Sequence, residues 1–179
     1  FLGIGNPIFK DSAEDIELAK ADSPEILKEV AMSRSIKQRN LILDPLPETE
    51  DEVKKMAKLF PKHDKKLLIA KNATESVLKK TDIKNFDYIV FATHGITAFE
   101  SGNKEVSGLA LTYPAKPSNF DNGFLTSKEI MSIDLNSQLV LLSACETATD
   151  QVDSGRAFSG LVNSFFFAGT NSVIASHWK

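Results

Sequence analysis

The feature that most constrains the fold is an apolar run that stops abruptly in polar residues. The stretch 137–147 reads Ser-Gln-Leu-Val-Leu-Leu-Ser-Ala-Cys-Glu-Thr, and the only cysteine of the chain, Cys145, lies at its polar end. A second run, at 88–92, stops in the same way at Thr93, and His94 follows it. Short apolar runs without polar alternation are typical of strands that are buried on both faces of a sheet. The sequence therefore predicts two buried strands that each end at a chemically reactive side chain.

Strand-like and helix-like segments alternate along the chain, which predicts an α/β fold with a parallel or mostly parallel sheet and helices on both faces. We expect capping boxes at Thr49 with Glu52 and at Thr126 with Glu129, and Thr74 as the cap of the helix between them. The remaining expected elements are strands at 2–7, 67–70, 107–112 and 172–176, a loop at 96–105, and a helix at about 156–168 with Gly169 as its C-cap.

The carboxyl ends of the two buried strands predict a shared site, because ligands bind at that edge of open α/β sheets. A thiol is a nucleophile only as the thiolate, and its ordinary pKa of about 8.5 leaves little thiolate at neutral pH. A histidine beside it can take the proton and later give it to a leaving amine. The pairing therefore favours Cys145 as nucleophile and His94 as base, with the N–H groups of Gly95 and Cys145 binding an oxyanion. Asp87 precedes its strand, so we expect it to lie too far away to orient the histidine.

Other interpretations of the same residues stay open. A lone cysteine at a strand end is usually a small buried hydrophobe, and a lone histidine is usually a structural hydrogen-bonding group. Gly3-x-Gly5 after the first strand could open a dinucleotide-binding loop, although the third glycine is absent and Pro7 disrupts the helix start. Two reactive residues at matching ends of separate strands favour the catalytic interpretation over both.

Length and charge limit the classes of function. The 179 residues fit one domain, 1–179, in which we expect 10–40, with a helix at about 24–32, to be a surface insertion or linker. A net charge of −3 gives no reason to expect binding to nucleic acid or to an anionic membrane. No apolar stretch approaches the roughly 20 residues that cross a bilayer. We expect a cytoplasmic domain without a metal or other cofactor, and a start at Phe1 without an initiator Met suggests a piece of a longer chain.

Several short motifs occur in a specific order along the chain. They are Thr-His-Gly at 93–95, Gly-Phe-Leu-Thr at 123–126, Leu-Ser-Ala-Cys-Glu-Thr at 142–147, and Ala-Gly-Thr-Asn-Ser-Val-Ile-Ala-Ser at 168–176 with Trp178. Shorter matches at 5–7, 46–49 and 73–75 extend the set along nearly the whole chain. Together the motifs resemble the CHAT family, the caspase-like domains that are commonly attached to tetratricopeptide repeats.

The resemblance implies a three-layer α/β/α caspase-like sandwich and a cysteine endopeptidase. In such an enzyme Cys145 forms a thioester acyl-enzyme with a protein substrate, His94 acts as general base and acid, and Gly95 contributes to the oxyanion hole. It also implies partners, namely a protein substrate and a regulatory tetratricopeptide-repeat region of the parent chain, with an activation step in a bacterial defence or signalling system. The alternative is a non-catalytic module that keeps the fold as a docking platform.

The specificity of such an enzyme is open in the sequence. Glu146, Asp150 and Asp153 follow the nucleophile and form a candidate pocket for a basic P1 side chain, or simply a solvated loop. His177 stands where family members usually have Leu, and we expect a structural or surface role for it. We expect His63 to be solvated. The family normally continues beyond the tryptophan, so part of the specificity surface is expected beyond Lys179.

Overall fold

The computed structural model describes residues 1–9, 43–100, 104–143 and 154–176. Its helices and strands are, in chain order, β1 (Leu2–Gly5), α1 (Glu48–Ala57), β2 (Lys66–Ile69), α2 (Glu75–Lys79), β3 (Tyr88–Ala92), β4 (Gly95–Glu100), β5 (Lys104–Ala110), β6 (Phe124–Thr126), α3 (Ser127–Ile130), β7 (Leu139–Ser143), α4 (Ser154–Phe167) and β8 (Val173–Ser176). Single 3₁₀ turns occur at Lys62–Asp64, Ala70–Asn72 and Ile83–Asn85. The predicted insertion at 10–40, including its helix, lies outside these residues.

The main sheet has the strand order β2-β1-β3-β7-β8, and every neighbouring pair in it is parallel. Helix α1 packs on one face, where Val53 and Ala57 join a cluster with Val90 and Ala92. Helices α2 and α4 pack on the other face, in the larger cluster around Phe91. The predicted α/β fold with a mostly parallel sheet and helices on both faces is therefore confirmed.

The glycines of β1 allow α1 to approach the sheet closely. A Cβ atom on Gly5 would lie 2.8 Å from the backbone oxygen of Thr49, and one on Gly3 would lie 3.1 Å from the Cβ of Val53. Both distances are shorter than ordinary carbon contacts, so only glycine fits under the helix. Because the helix fills this space, a dinucleotide phosphate has no room against these two glycines, and the nucleotide-binding interpretation of Gly3-x-Gly5 loses its basis.

A second, antiparallel sheet follows His94, in the order β4-β5-β6. The predicted loop at 96–105 is wrong over most of its length, because β4 and β5 pair as a hairpin from Gly95 opposite Leu109 to Glu100 opposite Lys104. The segment is short and has little alternation of its own, so the pairing with its neighbour decides its conformation. This small sheet lies against α4, which contacts both β4 and β5.

The predicted helix caps have different outcomes. The capping box at α3 is confirmed, since Thr126 Oγ1 accepts the N–H of Glu129 at 3.2 Å and Glu129 Oε2 accepts the N–H of Thr126 at 2.8 Å. Thr74 caps α2 by accepting the N–H of Val77 at 3.2 Å, as predicted. Gly169 follows the end of α4 with φ of 105°, a conformation that glycine adopts without strain.

The predicted capping box of Thr49 with Glu52 is wrong. Helix α1 begins at Glu48, so Thr49 lies inside the helix, and no side-chain cap is made there. The Thr49 hydroxyl is engaged elsewhere, because it accepts the N–H of Asn6 at 2.7 Å and donates to the backbone oxygen of Leu46 at 2.7 Å. It thereby ties the start of the helix to the end of β1.

Across the described ranges, none of the helices has both the length and the apolar character that crossing a membrane requires.

Candidate active site

The register of the main sheet brings the ends of β3 and β7 side by side. Ala92 pairs with Ser143, and these are the last paired residues of the two strands. His94 is two positions beyond Ala92, and Cys145 is two positions beyond Ser143 in the sequence. Neighbouring strands lie about 4.8 Å apart. Cys145 itself lies outside the described residues, so its contact with His94 stays a prediction that the strand register supports.

The backbone of His94 is held where the chain leaves the parallel sheet for β4. Thr93 is completely buried, and its hydroxyl donates to the backbone oxygen of Ala110 at 2.5 Å. The N–H of Ala110 in turn donates to the backbone oxygen of His94 at 2.9 Å. Ala110 thus uses both of its polar backbone groups on Thr93 and His94, which anchors the histidine to the antiparallel sheet.

The imidazole ring of His94 is oriented by a backbone carbonyl. The side chain is buried, with 4% of the residue exposed, and Nε2 lies 2.9 Å from the backbone oxygen of Asp44. A carbonyl oxygen only accepts, so Nε2 carries the hydrogen in this bond. In the neutral ring Nδ1 is then the unprotonated nitrogen, which is the one that can act as a base.

That basic nitrogen is also the unsatisfied one. Nδ1 of His94 is buried and has no hydrogen-bond partner within the described parts of the chain. A buried polar atom without a partner costs about 1–3 kcal/mol, so such an atom calls for a further group, such as a residue, a water or an ion, at that place. Because the ring stands just beyond the end of β3, which pairs with the end of β7, a residue that follows β7 is a candidate for this group.

An aromatic side chain packs against this buried ring. The ring of Phe9 lies 5.1 Å from that of His94, measured between centroids, at an interplanar angle of 50°. Phe9 and Leu43 also pack against a small cluster of Ile96, Ala110 and Phe124. These contacts keep water from much of the imidazole, and electrostatic interactions are stronger where water is excluded.

Gly95 begins β4 opposite Leu109 and is buried. In an antiparallel pair of strands, residues that exchange hydrogen bonds alternate with residues that do not. Since the N–H of Ala110 donates to the backbone oxygen of His94, Gly95 and Leu109 are a pair of the second kind, and the N–H of Gly95 points away from β5. Its predicted role in an oxyanion hole stays a prediction, because the second donor, Cys145, is outside the described residues.

The other predicted residues fall into two groups. His63 has 82% of its side chain exposed, beside Asp64, which confirms that it is solvated. Asp87 lies at the amino end of β3, where its backbone oxygen accepts the N–H groups of Gln138 and Leu139, so it is at the wrong edge to orient His94, as expected. The remaining predicted residues lie outside the described residues and stay predictions: Glu146, Asp150, Asp153 and His177.

Sequence reasoning missed the group that orients His94. The sequence offers no suitably placed carboxylate for this role, and the acceptor is the main-chain oxygen of Asp44, whose side chain is exposed. Every residue has a backbone carbonyl, so the sequence carries no signature for this role. Pro45, in the proline-rich passage before α1, indicates only that the backbone of Asp44 is extended.

A buried ionic network supports the sheet that anchors His94. Glu75 is completely buried, and its Oε1 accepts three backbone N–H groups at 2.7–3.1 Å, those of Asn122, Gly123 and Phe124. Its Oε2 pairs with Lys79 at 2.7 Å. The network therefore fixes the turn that leads into β6, the strand that pairs with β5 beside Ala110.

Lys79 extends this network to α3. Its Nζ donates to Glu129 Oε1 at 2.8 Å and to the backbone oxygen of Phe120 at 2.7 Å. Burial raises the pKa of the Glu75 carboxyl above its usual value, against the lowering effect of Lys79. Burial also acts to lower the pKa of Lys79, but its bonds to Glu129 and Glu75 outweigh this and raise it. Lys79 therefore stays charged in the folded protein.

Where the chain is described, no group of three or more His, Cys, Asp and Glu side chains is arranged to hold a metal ion.

Comparison with protein families matches a model described as the CHAT domain to residues 2–179. Comparison with curated proteins and with solved structures finds no match.

Proposed function

Because this chain belongs to the CHAT domain family, a family related to caspase-like peptidases, we propose that it is a cysteine endopeptidase that acts through Cys145 and His94. One observation carries the proposal. The His94 ring donates from Nε2 to the backbone of Asp44, which leaves Nδ1 as the nitrogen without a hydrogen-bond partner among the described residues, and the ring stands at the end of β3, beside the end of β7. That is the protonation and orientation which a base for a thiol requires.

In the first half of the reaction, Nδ1 of His94 takes the proton from the Cys145 thiol. The thiolate attacks the carbonyl carbon of the scissile peptide, and the oxygen of that carbonyl takes the negative charge. The N–H groups of Gly95 and Cys145 stabilise this oxyanion. The imidazolium then gives its proton to the leaving nitrogen, the C–N bond breaks, and a thioester to Cys145 remains.

In the second half, water replaces the amine. Nδ1 of His94 takes a proton from the water as its oxygen attacks the thioester carbon, and the proton returns to sulfur as the C–S bond breaks. Throughout both halves the carbonyl of Asp44 holds Nε2–H and stabilises the imidazolium, so it acts as the third, orienting member of the site. The chemistry needs no metal or organic cofactor.

The substrate is a protein, and we propose that Glu146, Asp150 and Asp153 attract a basic side chain before the scissile bond. Regulation by a tetratricopeptide-repeat region of the parent chain is part of the same proposal, as are a role in bacterial defence or signalling and a cytoplasmic location. The charge of the chain, −3, gives the domain no basis for binding nucleic acid or an anionic membrane directly.

The test uses Cys145→Ala. We expect this variant to lose cleavage of peptide libraries and of candidate proteins while its circular dichroism spectrum and thermal unfolding stay those of the wild type. Wild-type-like cleavage by the variant would refute the mechanism. Labelling with an electrophilic peptide separates the enzyme from the non-catalytic alternative, because an activated Cys145 reacts much faster than free cysteine, and a docking module does not require this.

A further inference from the structure

The segment that follows β1 is joined by two hydrogen bonds to the segment that follows β5. The N–H of Ile8 donates to Thr112 Oγ1 at 3.0 Å, and the N–H of Tyr113 donates to the backbone oxygen of Ile8 at 3.1 Å. The side chain of Ile8 does not fix the segment, since 52% of the residue is exposed. The path of the chain at this point therefore depends on its backbone bonds.

Thr112 is itself held firmly. It is buried, its hydroxyl donates to the backbone oxygen of Ala70 at 2.7 Å, and its N–H donates to the backbone oxygen of Ala73 at 2.9 Å. One hydroxyl group thus accepts from Ile8 and donates to Ala70. This hydroxyl links the segment after β1 to the turn after β2, and Thr112 is far from both in the sequence.

The next residue after Ile8 reaches the candidate catalytic histidine. The ring of Phe9 lies 5.1 Å from that of His94. The bond from Nε2 to Asp44 fixes one point of the imidazole, but a single hydrogen bond does not by itself fix the rotation of the ring about its Cβ–Cγ bond. A side chain against the ring restricts this rotation, and with it the direction in which Nδ1 points.

We propose that Phe9 is a positioning residue for His94 and that the hydroxyl of Thr112 holds Phe9 in place. The inference rests on the proposed function, since it concerns the aim of Nδ1 at the Cys145 thiol. Neither Phe9 nor Thr112 has a chemical role in the proposed reaction. Their effect is on geometry, and misplacement of a reacting group by about 1 Å can cost up to about 100-fold in rate.

Two pairs of variants test this inference in the full 179-residue chain. Thr112→Val removes the hydroxyl and keeps the shape, while Thr112→Ser keeps the hydroxyl and is its control. Phe9→Ala removes the ring, and Phe167→Ala, at an exposed phenylalanine of α4, controls for a loss of the same size. All four are compared with the wild type for cooperative thermal unfolding before the readouts are taken.

The first readout is the NMR spectrum of the His94 ring, whose proton shifts report the nearby Phe9 ring and whose nitrogen shifts report the tautomer. The second is the rate at which iodoacetamide alkylates Cys145, which is specific because the chain has one cysteine. We expect Thr112→Val and Phe9→Ala to displace the His94 signals and to slow alkylation about 10-fold. We expect the two controls to stay within about twofold of the wild type in that rate, as intact positioning requires.

Folded Thr112→Val with unchanged His94 signals and an unchanged alkylation rate would overturn the inference. If Thr112→Val does not fold, Phe9→Ala alone decides, by the same two readouts. Wild-type alkylation no faster than that of free cysteine would contradict the proposed function instead. The His94 signals of the variants would then still show whether Thr112 holds Phe9 against the histidine, so the two failures are distinguishable.

Discussion

Replacing Glu75 by Gln tests the buried network behind the candidate site. The glutamine keeps one oxygen, which can still accept the N–H groups of Asn122, Gly123 and Phe124. The other position becomes an NH₂ group that faces the ammonium of Lys79, so an ion pair of 2.7 Å is exchanged for two opposed donors. The substitution therefore removes the charge and leaves the shape of the side chain almost unchanged.

The expected cost follows from what each partner keeps. Lys79 retains Glu129 and the backbone oxygen of Phe120, so its charge is not left without compensation. The loss is then about that of one hydrogen bond to a charged group, about 1.5–3 kcal/mol in the free energy of unfolding. Glu75→Ala also leaves the three backbone donors unsatisfied, so we expect it to cost more, about 3–5 kcal/mol.

Urea unfolding followed by circular dichroism measures both variants against a matched control. Glu50 and Lys54 form an ion pair with the same spacing of four residues, but the Lys54 side chain is 49% exposed. We expect Glu50→Gln to change the free energy of unfolding much less, because water screens exposed pairs. Equal effects of Glu50→Gln and Glu75→Gln would refute the reasoning, since burial is the difference on which it depends.

Two further predictions concern packing and pH. Gly5→Ala places a Cβ 2.8 Å from the backbone oxygen of Thr49, and we expect it to lower the free energy of unfolding in urea by about 1–3 kcal/mol. In the control Gly160→Ala, in α4, the new Cβ meets nothing closer than 3.7 Å, so we expect no loss of stability or a gain. Equal effects of the two substitutions would contradict the packing argument. The raised pKa of Lys79 adds stability that is fully present below the unfolded value of about 10.5 and is lost as pH rises through the higher folded value. The difference in melting temperature between wild type and Lys79→Met should therefore shrink above pH 10.5, and a constant difference would show that the charge contributes nothing.

Local patterns in the sequence were sufficient for several parts of the fold. The apolar runs of β3 and β7 predict strands that are buried on both faces, since such burial requires an uninterrupted apolar stretch. Both strands form, and β3 is buried from Ile89 to Ala92, whereas in β7 only Val140 and Leu142 are fully buried, so the prediction of burial is only partly right for β7. The capping box at Thr126 and Glu129 is confirmed because all of its hydrogen bonds lie within one turn of chain. The sequence also predicts that His94 follows a buried strand, since the side chains and the end of the strand are in the same short segment.

Predictions failed where the outcome depends on a partner elsewhere in the chain. The segment of β4 has a weak pattern of its own and becomes a strand because β5 pairs with it. Thr49 has the spacing of a capping residue, but its hydroxyl binds Asn6 and Leu46 instead, so the local pattern is overruled. Glu75 looks like an ordinary polar residue of a short helix, and only the turn that folds over it makes it a buried charge.

The sequence by itself therefore determined the strands of the main sheet, most of the caps and the place of His94 after a strand, because each of these depends on neighbouring positions. Only the tertiary structure decided which nitrogen of His94 carries the hydrogen and which is left unprotonated in the neutral ring. That choice depends on the carbonyl of Asp44, which is 50 positions away and has no side-chain signature. The hydrogen bond from Ile8, the neighbour of Phe9, to Thr112 joins residues that are 104 positions apart. Contacts of this range arise from the packing of whole elements, and no short motif can encode them.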